Sequence, residues 1–168
     1  MKHIKFLALT VIASLVFFAC DDNKSKPEPP PDNPPIEIGD NYSGKLFVDY
    51  LGEERISDLD IEIITTQKED SIVLFLRKVK FVVEQPNGFD IKIPVTCITA
   101  IDTAFLSGTE ITPYLADMPF PNFRVDNVDG IITKDSLKVA MDMIVVASMG
   151  TLVEGTIFYT RYKGALKK

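Results

Sequence analysis

The chain has 168 residues, enough for one domain with appendages, and carries 18 basic against 24 acidic side chains. A net charge of −6 argues against nucleic acid, whose phosphates demand a clustered basic excess. A hydrophobic share of 46% is too high for a wholly disordered chain, and two cysteines cannot staple a disulfide scaffold.

The N-terminus reads as an export signal. Lys2 and Lys5 precede an apolar run from Phe6 to Phe18, interrupted only by Thr10 and Ser14. Phe6 to Ala19 is 14 residues, whereas a bilayer-spanning helix needs about 20. The residue before Cys20 is small (Ala19), but Phe17 is too large for the −3 pocket of an ordinary signal peptidase. Phe17-Phe18-Ala19-Cys20 resembles the lipobox of bacterial lipoproteins, with Phe at −3 where Leu is commoner. Residues 1–19 are therefore expected to be a lipoprotein signal peptide. Cys20 is the expected lipidation site and the chain's membrane anchor, because two or more acyl chains hold where one does not.

Residues 20–40 follow as a Pro-rich tether. Six of the eleven prolines fall here, and six acids face two lysines. Proline favours extended geometry, so the segment is a semi-rigid stalk. Asp21-Asp22 resembles part of the acidic signal that sends many lipoproteins to the cell surface. The expected location is the cell envelope, at the surface or periplasmic face of the outer membrane; the alternative is the inner-membrane retention that Asp directly after Cys favours in an enterobacterial setting.

Residues 41–168 read as strands. Leu59, Ile61 and Ile63 alternate with Asp58, Asp60 and Glu62, giving an apolar and an acidic face. Val73, Phe75, Val79, Phe81 and Val83 are assigned one face, broken by Arg77. Leu137, Val139, Met141, Met143 and Val145 share another. In the last run, Val153, Gly155, Ile157 and Tyr159 are assigned one face and Leu152, Glu154, Thr156 and Phe158 the other. Turn chemistry falls at Gln67–Asp70, Pro86-Asn87-Gly88 and Lys134-Asp135-Ser136. The expected strands lie near 42–50, 57–66, 71–83, 89–96, 97–101, 103–112, 123–133 and 137–163, the last splitting at Gly150. Such a meander exposes edges unless it closes. The expected fold is all-β: an antiparallel meander closed into a roughly eight-stranded barrel, with a β-sandwich as the alternative. Gly108, Gly130 and Gly155 are read as bends within strands.

Tyr42-Ser43-Gly44, Phe105-Leu106-Ser107-Gly108, Asp129-Gly130-Ile131-Ile132-Thr133 and Leu137 to Met143 together resemble the calycin-like β-barrel domains of Bacteroidota lipoproteins. The resemblance implies a lipocalin-like barrel, a fold that often takes a small apolar ligand, in a family with no general assigned activity. The chain has no Trp, so the Gly-x-Trp signature of true lipocalins is absent.

Chemistry is scarce. His3 is the single histidine and falls in the signal segment, which removes histidine-based catalysis and most transition-metal sites. Cys97, in an apolar strand with no basic neighbour, reads as a structural thiol. Glu62, Glu84, Glu110, Glu154 and Asp142 read as solvated strand acids rather than a glycosidase pair. Asp126 to Gly130 departs from a calcium loop, because Val125 takes the first ligand position. Pro113 to Phe123, with three prolines and no strand periodicity, is read as a loop plugging one barrel end, the alternative being an exposed binding lip. Tyr159 and Tyr162 are assigned to barrel-wall packing.

The expectation is a non-enzymatic, lipid-anchored envelope protein without catalytic residues, metal or cofactor. Its barrel binds a small apolar ligand or a surface partner. The alternative is an assembly lipoprotein whose filled barrel binds another envelope protein. The barrel interior discriminates the two.

Overall fold

Period-two alternation along the chain becomes ten strands in the computed structural model, which describes residues 35–68, 70–81 and 87–168. The expected signal peptide, Cys20 and the tether as far as Pro34 lie outside the described residues, as do Glu84 and Val83. In chain order the strands are β1 (Asn41–Tyr50), β2 (Glu53–Thr65), β3 (Ser71–Val79), β4 (Phe89–Thr99) and β5 (Thr103–Gly108). Then come β6 (Tyr114–Leu115), β7 (Met118–Pro119), β8 (Phe123–Thr133), β9 (Ser136–Val145) and β10 (Ile157–Leu166).

Eight of them close into an antiparallel barrel. Each pairs with its neighbours in the order β3-β2-β1-β10-β9-β8-β5-β4, and β3 pairs with β4 to shut the ring. β6 and β7 form a short hairpin added beside β4. This is the expected closed meander with calycin-like architecture, and the sandwich alternative falls. Closure leaves none of the eight long strands as a free edge.

The inward set is apolar. Leu59, Ile61, Ile63, Leu137, Val139, Met141, Met143 and Val145 are buried as expected. Tyr42, Ile61, Leu74, Ile93, Val125, Ile132, Leu137 and Phe158 are inaccessible to a water-sized sphere, so they line no internal chamber. The barrel's middle is packed like any protein core. Thr160, the buried polar residue of β10, donates its hydroxyl to Met141 O at 2.7 Å. The strands and the buried hydrophobic core lie between residues 41 and 166, so residues 35–168 contain a complete sheet and core.

Four sequence expectations need correction. The runs 89–96 and 97–101 are one strand, β4. The strand expected over 71–83 ends at Val79, and its face changes: Ile72, Leu74 and Leu76 point in, followed by Val79 and Phe81. A register shift between Leu76 and Val79, with Lys78 at φ 55°, makes the switch. Val73 and Phe75 therefore face outward, where Arg77 and Lys92 lie over the Phe75 ring. The long final run splits around Gly150 as expected, but the break widens to Val146–Thr156, so Gly155 (φ 84°) belongs to a turn, not a strand. The expected 103–112 strand stops at Gly108.

Strand directions define two ends. β1 starts where the tether enters, and there Ile36 N–H donates to Ala100 O at 3.0 Å. That near end also carries the turns at 66–70, 100–102 and 134–135. The far end carries the Leu51-Gly52 turn, the end of β3 and the start of β4, and the connections 109–122 and 146–156.

Candidate binding mouth at the far end of the barrel

The far end is apolar in a way the near end is not. Five aromatic rings run beneath it in contact: Phe120 with Phe123 (5.5 Å between centroids), Phe123 with Phe81 (6.4 Å), Phe81 with Phe158 (5.4 Å) and Phe158 with Tyr50 (4.9 Å). They come from β1, β10, the segment after β3, the start of β8 and the residues before it. Above this floor lies a void of about 50 Å³. Ile91 and Leu115 wall it, and Met149 and Leu152 cover it. Among its lining residues only Tyr114 carries a side-chain hydroxyl.

Two connections roof the void. The β6–β7 hairpin turns at Ala116 (φ 48°) and Asp117 (φ 65°), the two-residue geometry usually given to Asn-Gly. It is fixed to β4 through the Ile91–Leu115 and Lys92–Tyr114 pairs, and the Lys92 ammonium bridges the Asp117 carboxylate. The second connection, 146–156, folds back through the Met149–Leu152 bridge. Both have little ladder pairing, so they open at lower cost than the barrel wall.

The expected plug is thus half of the truth about Pro113–Phe123. Pro113, Leu115, Phe120 and Phe123 line the void, while Met118 (68% exposed) faces solvent. In the sequence Phe81 and Leu152 are placed only on strand faces, and Phe89 and Met149 are not singled out. They come from segments far apart in the chain, and only closure of the barrel brings them together.

The lining offers apolar contact and a single phenol hydroxyl, that of Tyr114. An apolar void excludes water, and 50 Å³ accommodates the tip of an apolar group rather than a whole drug-sized ligand, which takes about 300–1,000 Å³.

The other sequence candidates are scattered. Glu62 is on the outer wall with Arg77, Asp142 accepts from Asn127 Nδ2 at 2.7 Å, and the Glu154 amide donates to Ser148 Oγ at 3.1 Å. The Glu110 amide donates to Asp126 Oδ1 at 2.6 Å. Among the described residues no three His, Cys, Asp or Glu side chains converge as a metal site. Cys97 is buried, and its thiol is pushed up by burial and then by the Asp70 charge, which keeps it protonated and inert. Tyr162 is buried in the wall, with its hydroxyl directed to Leu59 O at 3.4 Å, whereas Tyr159 is exposed.

Asp126 has a structural task at the edge of the mouth. Besides the Glu110 amide, its carboxylate receives Arg124 Nε at 2.8 Å and Thr109 Oγ1 at 3.2 Å. Burial alone raises its pKa, but the Glu110 amide and Arg124 outweigh that, and the net shift is downward. A depressed folded pKa contributes stability above the unfolded carboxylate value, lost as pH falls through the folded one. Asp126→Asn should cost about 1–3 kcal/mol at neutral pH. Its deficit relative to wild type should shrink in urea titrations taken below about pH 4.

Comparison with known proteins found no matching family model, no matching curated protein and no matching solved structure.

Proposed function

We propose that the chain is a lipid-anchored envelope protein, held through Cys20 at the outer membrane, whose barrel is a non-enzymatic binding module. The bound species is the apolar end of a small ligand, an acyl or aryl group, taken into the far mouth. The observation that carries this reading is the apolar void over the aromatic floor, roofed by two weakly paired connections. The resemblance to calycin-like Bacteroidota lipoproteins supports it. The packed middle of the barrel restricts the ligand to the mouth. An exposed apolar rim of Leu51 (84%), Met118 and Val153 (66%) favours a second reading, in which an envelope protein places an apolar side chain there.

The test uses residues 35–168 and N-phenylnaphthylamine, whose fluorescence rises in apolar surroundings. Wild type should bind it saturably. Leu152→Trp, which adds bulk over a 50 Å³ void, should lower the affinity at least about tenfold while leaving the urea midpoint close to wild type. No saturable binding by wild type, or equal binding by the variant, rejects the mouth as the site.

A further inference from the structure

One row of the outer wall places like charges side by side. The register sets Lys138 of β9 opposite Lys163 of β10, and Lys163 opposite Lys45 of β1. All three are exposed. Directly opposed residues lie about 4.5–5.5 Å apart at Cβ, where like charges repel. Asp58 bridges Lys45 at 2.6 Å, but among the described residues neither Lys138 nor Lys163 has an ion-pair partner. In the next row Arg161 is engaged by Glu54. The trio stands out on a domain that has 14 basic against 18 acidic side chains over residues 41–168.

The same row continues on its other side as Ile131, Phe105 and Ile98. Phe105 and Ile98 are exposed, as is Ile101 in the adjoining turn. A basic strip therefore abuts an apolar one on a single wall.

The position of this wall bears on what it can meet. Lys138 is three residues beyond the 134–135 turn, and Lys163 is three residues before the end of β10. Both are at the near end, where Ile36 is bonded to Ala100, next to Ile101. Around the groove at that end Glu37, Asp40, Asp102 and Asp135 outnumber the single base Lys134, a net negative lining that disfavours end-on approach to an anionic surface and leaves the side wall.

We infer that this wall lies against a membrane surface bearing phosphate headgroups. Lys138, Lys163 and Lys45 meet the phosphates, while Ile98, Ile101 and Phe105 enter the interfacial region. The bound phosphates relieve the repulsion within the lysine row. The inference rests on the lipid-anchor reading for proximity alone, and it orients the far mouth along or away from the bilayer.

Residues 35–168, lacking Cys20, are floated with vesicles of phosphatidylcholine alone or mixed with phosphatidylglycerol. Binding should require phosphatidylglycerol and weaken with salt. The double variant Lys138→Glu/Lys163→Glu should lose at least about tenfold in vesicle affinity, with no drop in melting temperature. Phe105→Ser should also weaken binding. Absence of binding to mixed vesicles overturns the inference, as does equal binding by the charge-reversed protein. Capture by dextran sulfate without vesicle binding also overturns it, by assigning the row to a soluble polyanion. The anchor is tested separately by the mass of the N-terminal peptide from the full chain and from Cys20→Ser, so the two can fail independently.

Discussion

Replacing Phe158 by Ala should lower the unfolding free energy of residues 35–168 by about 3–5 kcal/mol. The ring is fully buried and links the two parts of the aromatic row, touching both Tyr50 and Phe81. Removing it forfeits the transfer free energy of the side chain and leaves a hole that rigid strands on either side cannot fill. A domain of this size has about 5–15 kcal/mol in total, so the urea midpoint should fall steeply with little change in slope. A second effect follows from position. The new cavity lies beneath the mouth, so N-phenylnaphthylamine should bind the variant at least as tightly as wild type under conditions where both are folded. Tyr159→Ala, one residue along on the exposed face, should change stability by no more than about 0.5 kcal/mol. A loss below about 1 kcal/mol for Phe158→Ala would mean that neighbouring rings collapse into the space, and the floor would not be the rigid base described.

The contrast between Phe158 and Tyr159 also shows how much of the fold was legible in the sequence. Where apolar and charged residues alternate, as from Asp58 to Ile63 or from Leu137 to Val145, the inward face can be read directly. Where the run is apolar throughout, as in Ile72-Val73-Leu74-Phe75-Leu76, both faces look alike and the parity was assigned wrongly. The bulge that resets the face is at Lys78, a residue type that gives no warning of a positive φ. β4 carries Pro94 in its middle, a residue that argues against a central strand. The structure resolves this: β4 pairs with β6 at Ile91 and Lys92 and with β5 from Thr96, which leaves the Pro94 stretch without a neighbour on that side. The mouth was the least legible part. Its aromatic residues are spread from Tyr50 to Phe158, and no local pattern relates them. The lysine row was equally hidden, because it exists only across strands.

Gly44→Val should be at least as damaging, by a different mechanism. Gly44 of β1 is paired with Gly164 of β10, across the seam where the first and last strands close the barrel. A Cβ at Gly44 would fall within the carbonyl group of Lys163 and against the Gly164 Cα, closer than non-bonded atoms come. The obstacle is backbone, so no rotamer change can relieve it. The strands would have to separate and give up ladder hydrogen bonds on both sides of the contact. Tyr42, whose side chain is fully buried two residues away, would shift with them. This gives a physical reason for the Tyr42-Ser43-Gly44 opening: an inward anchor, then a position where only hydrogen fits. The expected cost is about 3 kcal/mol or more, beyond ordinary overpacking because a closing pair of strands is involved. Gly130→Ala provides the comparison. Its Cβ would meet Lys138 O at 3.0 Å and the Val139 side chain at 3.1 Å, contacts that small shifts can relieve. That variant should fold with a modest loss, while Gly44→Val should show a strongly lowered urea midpoint or recover only as insoluble protein. A Gly44→Val barrel as stable as wild type would show that the close approach of β1 and β10 is not required for closure.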